Sequence, residues 1–288
     1  MIAVFKREWG AYFHGMTGYL FIAFVLLFAG IYTMMYNLSG AYANFEYVLD
    51  AISFLYLIAV PVLTMRAVAE EKRQKTDQLL YSLPIRLSGV VLGKYLAMLA
   101  VLALPTAILS LYPLLLSRFG HVYLPTAYAS LFAFFLLGAT LLSIGLFLSS
   151  VTESQVISAV VCLAVMLLLY FMPALAGVLP ATPGASLIAL MVGAALVSGV
   201  VYRLTHNSLF AMGLLVVLAG GLFAWYDVDT AAFSGLFAQM LGGLSVFDRF
   251  EPFINGVLDG TSVVYFLSWI GVFLFLSVQA LEKRRWSE

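Results

Sequence analysis

Residues 127–150 read AYASLFAFFLLGATLLSIGLFLSS and contain no charged side chain. A helix of this length and composition can cross the hydrocarbon core of a bilayer, which needs about 20 apolar residues. Similar runs recur along the chain, of which 64% is hydrophobic and only 10% is charged. A water-soluble core could not bury that much apolar surface, so the sequence predicts an all-α, polytopic membrane protein.

We predict eight membrane spans within one membrane domain, residues 1–288. They lie at roughly 18–36, 51–67, 89–117, 127–150, 155–173, 184–203, 208–225 and 261–281. Pro and Gly mark several of their limits: Pro125 before the fourth span, Pro173, Pro180 and Pro183 at the turn between the fifth and sixth, and Gly260 before the last. Three further prolines fall inside spans and predict kinks: Pro61, Pro105 and Pro113.

The distribution of basic residues predicts the orientation of these spans. An even number of spans puts both termini on one side, and a cytoplasmic N-terminus then leaves only Arg118 and Arg249 outside. All other basic residues fall inside: Lys6, Arg7, Arg66, Lys72, Arg73, Lys75, Arg86, Lys94, Arg203, Lys283, Arg284 and Arg285. This asymmetry is the positive-inside pattern, so we expect both termini to be cytoplasmic.

Two segments are amphipathic rather than spanning. Residues 2–13 predict a helix lying in the inner membrane interface, although a ragged start to the first span is an alternative. Residues 232–258 carry apolar side chains at helical spacing on both sides of Gly242-Gly243 and a polar turn. They predict a re-entrant helical hairpin that enters the outer leaflet.

Few residues could carry chemistry of their own. His14, His121 and His206 lie far apart in the sequence, and the single Cys162 excludes a disulfide. Residues 89–95, GVVLGKY, have glycines spaced one residue too closely for a phosphate loop, and a tyrosine replaces its Ser or Thr. We therefore expect no enzyme activity and no metal, ATP or other cofactor on this chain. The spans also lack the central charged groups that an ion-coupled carrier needs.

Between the second and third predicted spans lies the only long, densely charged stretch, EEKRQKTDQLLYSLPI at 70–85. Its first part has a helix-favouring composition, and its later leucines form an apolar group suited to docking in a groove of another protein. A solvated inner loop is the plainer alternative.

The segment MRAVAEEKRQKTDQLLYSLPI at 65–85, followed by VLGK at 91–94, resembles the segment after the second span in type-2 ABC exporter permeases. Within that class the chain looks like the permease of the gliding-motility ABC system. Further matching stretches are LSSVTESQ at 148–155, VFDRF at 246–250, GVLD at 256–259, VYFLS at 264–268 and LEKRRW at 281–286. The likeness covers nearly the whole chain except about 174–230, an apolar insert that adds two spans to a six-span core.

The resemblance implies a permease that pairs with a second copy or a homologous permease. A separate ATPase dimer, which holds ATP and magnesium, would drive it. Contact with that ATPase is implied at the cytoplasmic coupling segment 69–88 and at the inner turn between the fourth and fifth spans. The implied residues are Glu70, Glu71, Arg73, Thr76, Asp77, Leu79, Leu80, Pro84 and Glu153. Glu153 could instead be an N-cap carboxylate of the fifth helix.

We therefore expect the membrane subunit of an ATP-powered exporter in a bacterial cytoplasmic membrane. A competing hypothesis is a membrane scaffold that transmits ATP-driven movement to an extracytoplasmic partner without transport. Membrane lipids and an extracytoplasmic accessory protein are further expected partners, and nucleic acid is not. Spans rich in Leu, Phe and small residues do not identify the substrate.

Overall fold

The computed structural model describes residues 1–75, 86–178, 180–205 and 208–287. Within these ranges the regular structure is helical, and no β-strand is present. The α-helices are α1 (Ile2–His14), α2 (Thr17–Thr33), α3 (Glu46–Ser53), α4 (Tyr56–Thr64), α5 (Ala69–Arg73), α6 (Leu87–Leu109), α7 (Leu111–Leu116), α8 (Leu124–Val151), α9 (Gln155–Val178), α10 (Pro183–Thr205), α11 (Ser208–Val228), α12 (Leu236–Gly243), α13 (Glu251–Ile254) and α14 (Gly260–Ser287). A π-helix, Met34–Ser39, continues α2, and 3-10 turns lie at Ala231–Phe233 and Asp248–Phe250.

The chain divides into two compact units. One contains Met1–Leu168 and Arg249–Glu288, and the other contains Leu169–Asp248. The predicted insert at 174–230 falls within the second unit.

Each of the eight predicted spans coincides with helical structure. Among the described residues, six helical segments are long and apolar enough to cross a membrane: Thr17–Ser39, Leu87–Leu116, Leu124–Val151, Gln155–Val178, Ser208–Val228 and Gly260–Arg285. The second predicted span corresponds to a pair of helical segments bent by 60°, and the sixth to α10, whose apolar part Pro183–Gly199 is shorter. The prediction of an all-α polytopic membrane protein is confirmed, and eight crossings stay a prediction.

Prolines affect the helices only partly as predicted, and Pro105 lies inside α6 without interrupting it. The bend in the second span lies between α3 and α4, at Phe54 and Leu55, and α4 continues through Pro61. The break between α6 and α7 lies at Ser110, where the ring of Pro113 would crowd the carbonyl group of Leu109 in a continuous helix. Pro173 does not end the fifth span as predicted. It is accommodated inside α9, as often happens in membrane helices.

Helix α8 is the core of the first unit, and 78% of its most apolar 18-residue stretch is buried. Helices α3, α4, α6, α13 and α14 pack against it. The hydroxyl groups of Tyr56 and Tyr95 donate to its backbone oxygens at Phe134 (3.2 Å) and Ala139 (3.1 Å). A Cβ at Gly138 would lie only 2.9 Å from the Tyr56 hydroxyl, so a glycine is needed for this close approach.

The second unit is built around α10, which packs against α11 and α12. At one end, the rings of Trp225 and Tyr226 contact the buried Phe233 ring at centroid distances of 5.1 and 5.3 Å. The Ser234 hydroxyl donates to the Ala181 carbonyl oxygen at 3.1 Å, which fixes the 3-10 turn to the start of α10.

The two predicted amphipathic segments contain helices. The predicted helix at 2–13 corresponds to α1. In the predicted hairpin 232–258, the first arm corresponds to α12, but the second arm is shorter than predicted. It consists of a 3-10 turn and the four-residue α13, because the backbone adopts a left-handed conformation at Gly256 (φ 79°) and leaves the helix.

Candidate coupling site at the junction of α1, α5 and α6

One face of α1, formed by every fourth residue, packs against the rest of the first unit. Val4 and Tyr12 are buried on this face, and the Tyr12 hydroxyl donates to the Leu63 carbonyl oxygen at 3.1 Å. A Cβ at Gly93 on α6 would lie 3.0 Å from Val4 Cβ, so glycine lets the two helices approach closely. Glu8, which lies between Val4 and Tyr12 on this face, therefore faces α6.

The ammonium group of Lys94, on α6, is the buried centre of a charged cluster. The Lys94 side chain is 2% exposed, and its Nζ lies 2.9 Å from Glu8 Oε1 and 3.0 Å from Glu71 Oε1. Nζ also donates to the Ala67 carbonyl oxygen at 2.7 Å. A buried cation is stable only when its charge is compensated and its N–H groups are bonded, and three segments of the chain meet these needs here.

Arg7 completes this cluster from its exposed side. Its Nη2 atom lies 2.6 Å from Glu8 Oε1 and also contacts Glu71 Oε1. Each cation therefore contacts both carboxylates. Burial raises the pKa of Glu8, but the charge of Lys94 and hydrogen bonds from Arg7 and Lys94 outweigh it and hold that pKa below its usual value. We call Arg7, Glu8, Glu71 and Lys94 the ion cluster.

Helix α5 is fixed to the end of α8 by a second set of polar contacts. The backbone N–H groups of Val68 and Ala69, at the start of α5, both donate to Ser149 Oγ at 3.1 Å. The Lys72 ammonium is buried and donates to the carbonyl oxygen of Ser150. These bonds satisfy donors at the start of α5 and an acceptor at the end of α8 that have no partner within their own helices.

The residues expected to contact the ATPase have different surroundings. Glu70 pairs with Arg66 at 3.0 Å and accepts a hydrogen bond from Gln74, while Glu71 belongs to the ion cluster. Arg73 is exposed at the end of α5. Five of the expected residues lie outside the described residues: Thr76, Asp77, Leu79, Leu80 and Pro84.

Glu153 lies in the short turn between α8 and α9. Its side chain is 74% exposed, and its Oε1 accepts a hydrogen bond from Arg284 Nη1 at 2.9 Å. The last helix, α14, is thereby joined to this turn. An exposed pair of this kind adds little stability, about 0–1 kcal/mol.

A cavity of about 610 Å³ lies beside the ion cluster. Its lining includes charged groups of both signs, among them Arg66, Glu70 and members of the ion cluster, so it does not resemble an apolar ligand pocket. In the part of the chain that the structure describes, no three His, Cys, Asp or Glu side chains are grouped to hold a metal ion.

Sequence reasoning missed the residues that hold this junction together. Lys72 and Lys94 are predicted from the sequence only as inner basic residues and members of matching stretches, and Ser149 and Ser150 only as members of such a stretch. Glu8 has no predicted role of its own. Lys94 alone carried a usable signal, because a charged residue within the predicted span 89–117 requires a buried partner.

The structure thus defines a multi-pass helical membrane protein with a polar junction at one end of its first unit. Residues 32–286 match the family described as ABC-2 family transporter protein. The match covers well over half of the chain, so the protein belongs to the ABC-2 family of transporters. No curated protein sequence matches the chain. Membership makes it the membrane permease subunit of an ABC system, whose ATPase is a separate partner, and not itself a catalyst.

Proposed function

We propose that this permease is the membrane subunit of an ATP-driven exporter in a bacterial cytoplasmic membrane, with both termini in the cytoplasm. A dimeric ATPase would dock on the coupling segment 69–88, and a second permease copy or a homologous permease would complete the transport path. Export rather than import is suggested by the resemblance of residues 65–94 to type-2 exporters, including the gliding-motility subgroup.

The attachment of α5 to three other helices is the observation that carries this proposal. Glu71 ties α5 to α1 and α6 through the ion cluster, and Ser149 ties its first turn to α8. Because α8 is the buried core of the first unit, a displacement of α5 would be passed to α8 rather than absorbed by a loose loop. Such an anchored segment is suited to receiving movement from an ATPase.

Among the described residues of this segment, the surface available to a partner lies at the end of α5 and at Gln74. Arg73 and Gln74 are exposed, whereas Glu71 and Lys72 face neighbouring helices. We propose that Glu71 holds the coupling segment in place, that Arg73 faces the ATPase, and that Leu79 and Leu80 fill an apolar groove on it. Glu153, exposed beside Arg284, is the second proposed contact.

The test replaces Leu79 and Leu80 with Asp and co-expresses the variant with its cognate ATPase. We expect normal membrane levels but lost co-purification, because losing about 3 kcal/mol of contact energy weakens association more than a hundredfold. The matched control is Leu79→Met with Leu80→Met, which keeps apolar volume. An unchanged complex with full ATP-dependent activity would refute docking at this segment.

Measuring transport itself distinguishes the proposed exporter from the competing scaffold. Inverted membrane vesicles that contain the permease and its ATPase are compared with vesicles whose ATPase cannot hydrolyse ATP. An ATP-dependent change in the vesicle contents, read by mass spectrometry, is expected of an exporter. Vesicles that hydrolyse ATP through the complex without such a change would favour the scaffold.

A further inference from the structure

Each cation of the ion cluster contacts two carboxylates, although one would balance its charge. Lys94 Nζ and Arg7 Nη2 both contact the Oε1 atoms of Glu8 and of Glu71. The four charges can therefore form two neutral pairs in either of two ways. Lys94 can pair with Glu71 and Arg7 with Glu8, or Lys94 can pair with Glu8 and Arg7 with Glu71. Glu8 with Lys94 joins α1 to α6, and Arg7 with Glu71 joins α1 to α5.

The burial of the two cations decides what happens if α5 moves. Lys94 is 2% exposed and cannot be left without a counter-ion, because removing one partner of a buried ion pair is strongly destabilising. The Arg7 side chain is 53% exposed, and its long aliphatic part lets the guanidinium group follow a moving partner. When Glu71 withdraws with α5, Glu8 can hold Lys94 while Arg7 stays with Glu71.

We propose that Glu8 is a positioning residue that acts as the reserve counter-ion of Lys94 and so permits α5 to move away from α6 during the ATP cycle. This inference rests on the proposed coupling role of α5. Glu8 makes no contact with ATP or substrate in this scheme. It acts only through Lys94, by keeping the moved state free of an unpaired buried charge.

The proposal predicts an unusual pattern among variants that remove charges from the ion cluster. In Glu8→Gln, Lys94 depends on Glu71 alone, so moving α5 leaves the ammonium unpaired, and we expect ATP-dependent turnover to fall at least tenfold. Lys94→Met removes the charge that would be left unpaired. We therefore expect the double variant Glu8→Gln with Lys94→Met to regain most of the turnover that Glu8→Gln loses. A merely structural pair in direct contact would also be non-additive, so the response of residues 69–75 to trapped ATP is the measurement that separates the two roles.

The experiment uses the intact permease–ATPase complex and two measurements. The first is ATP-dependent activity, and the second is hydrogen–deuterium exchange of residues 69–75 with and without ATP trapped on an ATPase variant that cannot hydrolyse it. We expect trapping to raise exchange in the parent and in the double variant but not in Glu8→Gln. Lys6→Gln is the matched control, because it removes a neighbouring exposed charge of α1.

Each outcome has a definite meaning. A parent complex whose residues 69–75 do not respond to trapped ATP would argue against the proposed coupling role of α5 itself. A parent that responds, with a Glu8→Gln variant that responds equally, would overturn the role of Glu8 alone. If Glu8→Gln fails to reach the membrane, Lys94→Met decides the matter, because a Lys94→Met variant without ATP-dependent movement would also overturn the proposal.

Discussion

Lys94 lies at the start of a membrane helix, and its charge is tolerated because two other helices supply carboxylates to it. Glu8 on α1 and Glu71 on α5 both approach within about hydrogen-bonding distance, at 2.9 and 3.0 Å. Such a buried group contributes little net stability, because desolvation opposes the attraction between the charges. Its effect is on position, since Lys94 attracts Glu8 of α1 and Glu71 of α5 to the start of α6.

The ionisation of Glu8 predicts that the stability of the protein depends on pH. Its folded-state pKa lies below the usual value of 4.5, because Lys94 and Arg7 outweigh the effect of burial. A lowered folded-state pKa stabilises the protein above the unfolded-state pKa, and that contribution is lost as the pH falls through the folded-state value. At pH 7 we expect Glu8→Gln to lower the free energy of unfolding by about 1–3 kcal/mol.

Thermal melting of the purified permease at several pH values checks this contribution of Glu8 to stability. The difference in melting temperature between parent and Glu8→Gln should be largest at neutral pH and shrink as the pH falls below 4.5. Lys6→Gln serves as the control, because it should show no such pH-dependent difference. A Glu8→Gln difference that stays constant from pH 7 to pH 3 would mean that the Glu8 carboxylate is not bonded as the structure describes.

At the scale of elements, α5 is notable for being only five residues long. A helix this short is not stable by itself in water, so its contacts with α1, α6 and α8 must hold it. Ser149 is central, since its Oγ accepts from the backbone N–H groups of Val68 and Ala69.

We predict that Ser149→Ala loosens α5, because two buried N–H groups lose their acceptor at a cost of about 1–3 kcal/mol. Faster hydrogen exchange at residues 68–73 is the expected sign. Ser150→Ala is the control, because the Ser150 hydroxyl bonds within α8 and only its backbone oxygen binds Lys72. Equal exchange in both variants would argue against the anchoring role of Ser149.

The helices were largely predictable, because long apolar runs can satisfy their backbone in a membrane only as helices. The bend between α3 and α4 was not predictable, since it lies at Phe54 and Leu55 and neither residue is a Pro or Gly. Ile52, Leu55 and Tyr56 are almost fully buried there, and both helices pack on α8. Tertiary packing accompanies this bend, and local sequence does not reveal it.

At the scale of the whole molecule, the ion cluster could not be read from the sequence. Lys94 and Glu8 are 86 residues apart, and Arg7 and Glu71 are 64 apart. No local pattern links such positions, and pairing follows only once α1 lies on α6. The charged stretch at 70–85 was visible from composition, but the inward direction of Glu71 and Lys72 depends on the fold.

The eight-span topology predicts which sites an impermeant thiol reagent can reach in intact cells. In a Cys162→Ala background, single cysteines at Asn44, Thr182 and Asp229 should react, because the positive-inside pattern puts them outside. A cysteine at Gln74, which is exposed beside α5, should react only after the cells are opened. Labelling of Gln74 in intact cells would reverse the orientation.

Docking of the ATPase on the coupling segment is tested most directly by a photo-cross-linking residue at Gln74, in membranes that contain the cognate ATPase. Tyr123, which is 71% exposed and predicted to lie on the opposite side, is the control position. We expect Gln74 to cross-link to the ATPase, with a yield that changes when ATP is trapped, and Tyr123 to give no such product. An active complex that cross-links from neither position, or equally from both, would contradict docking at this segment.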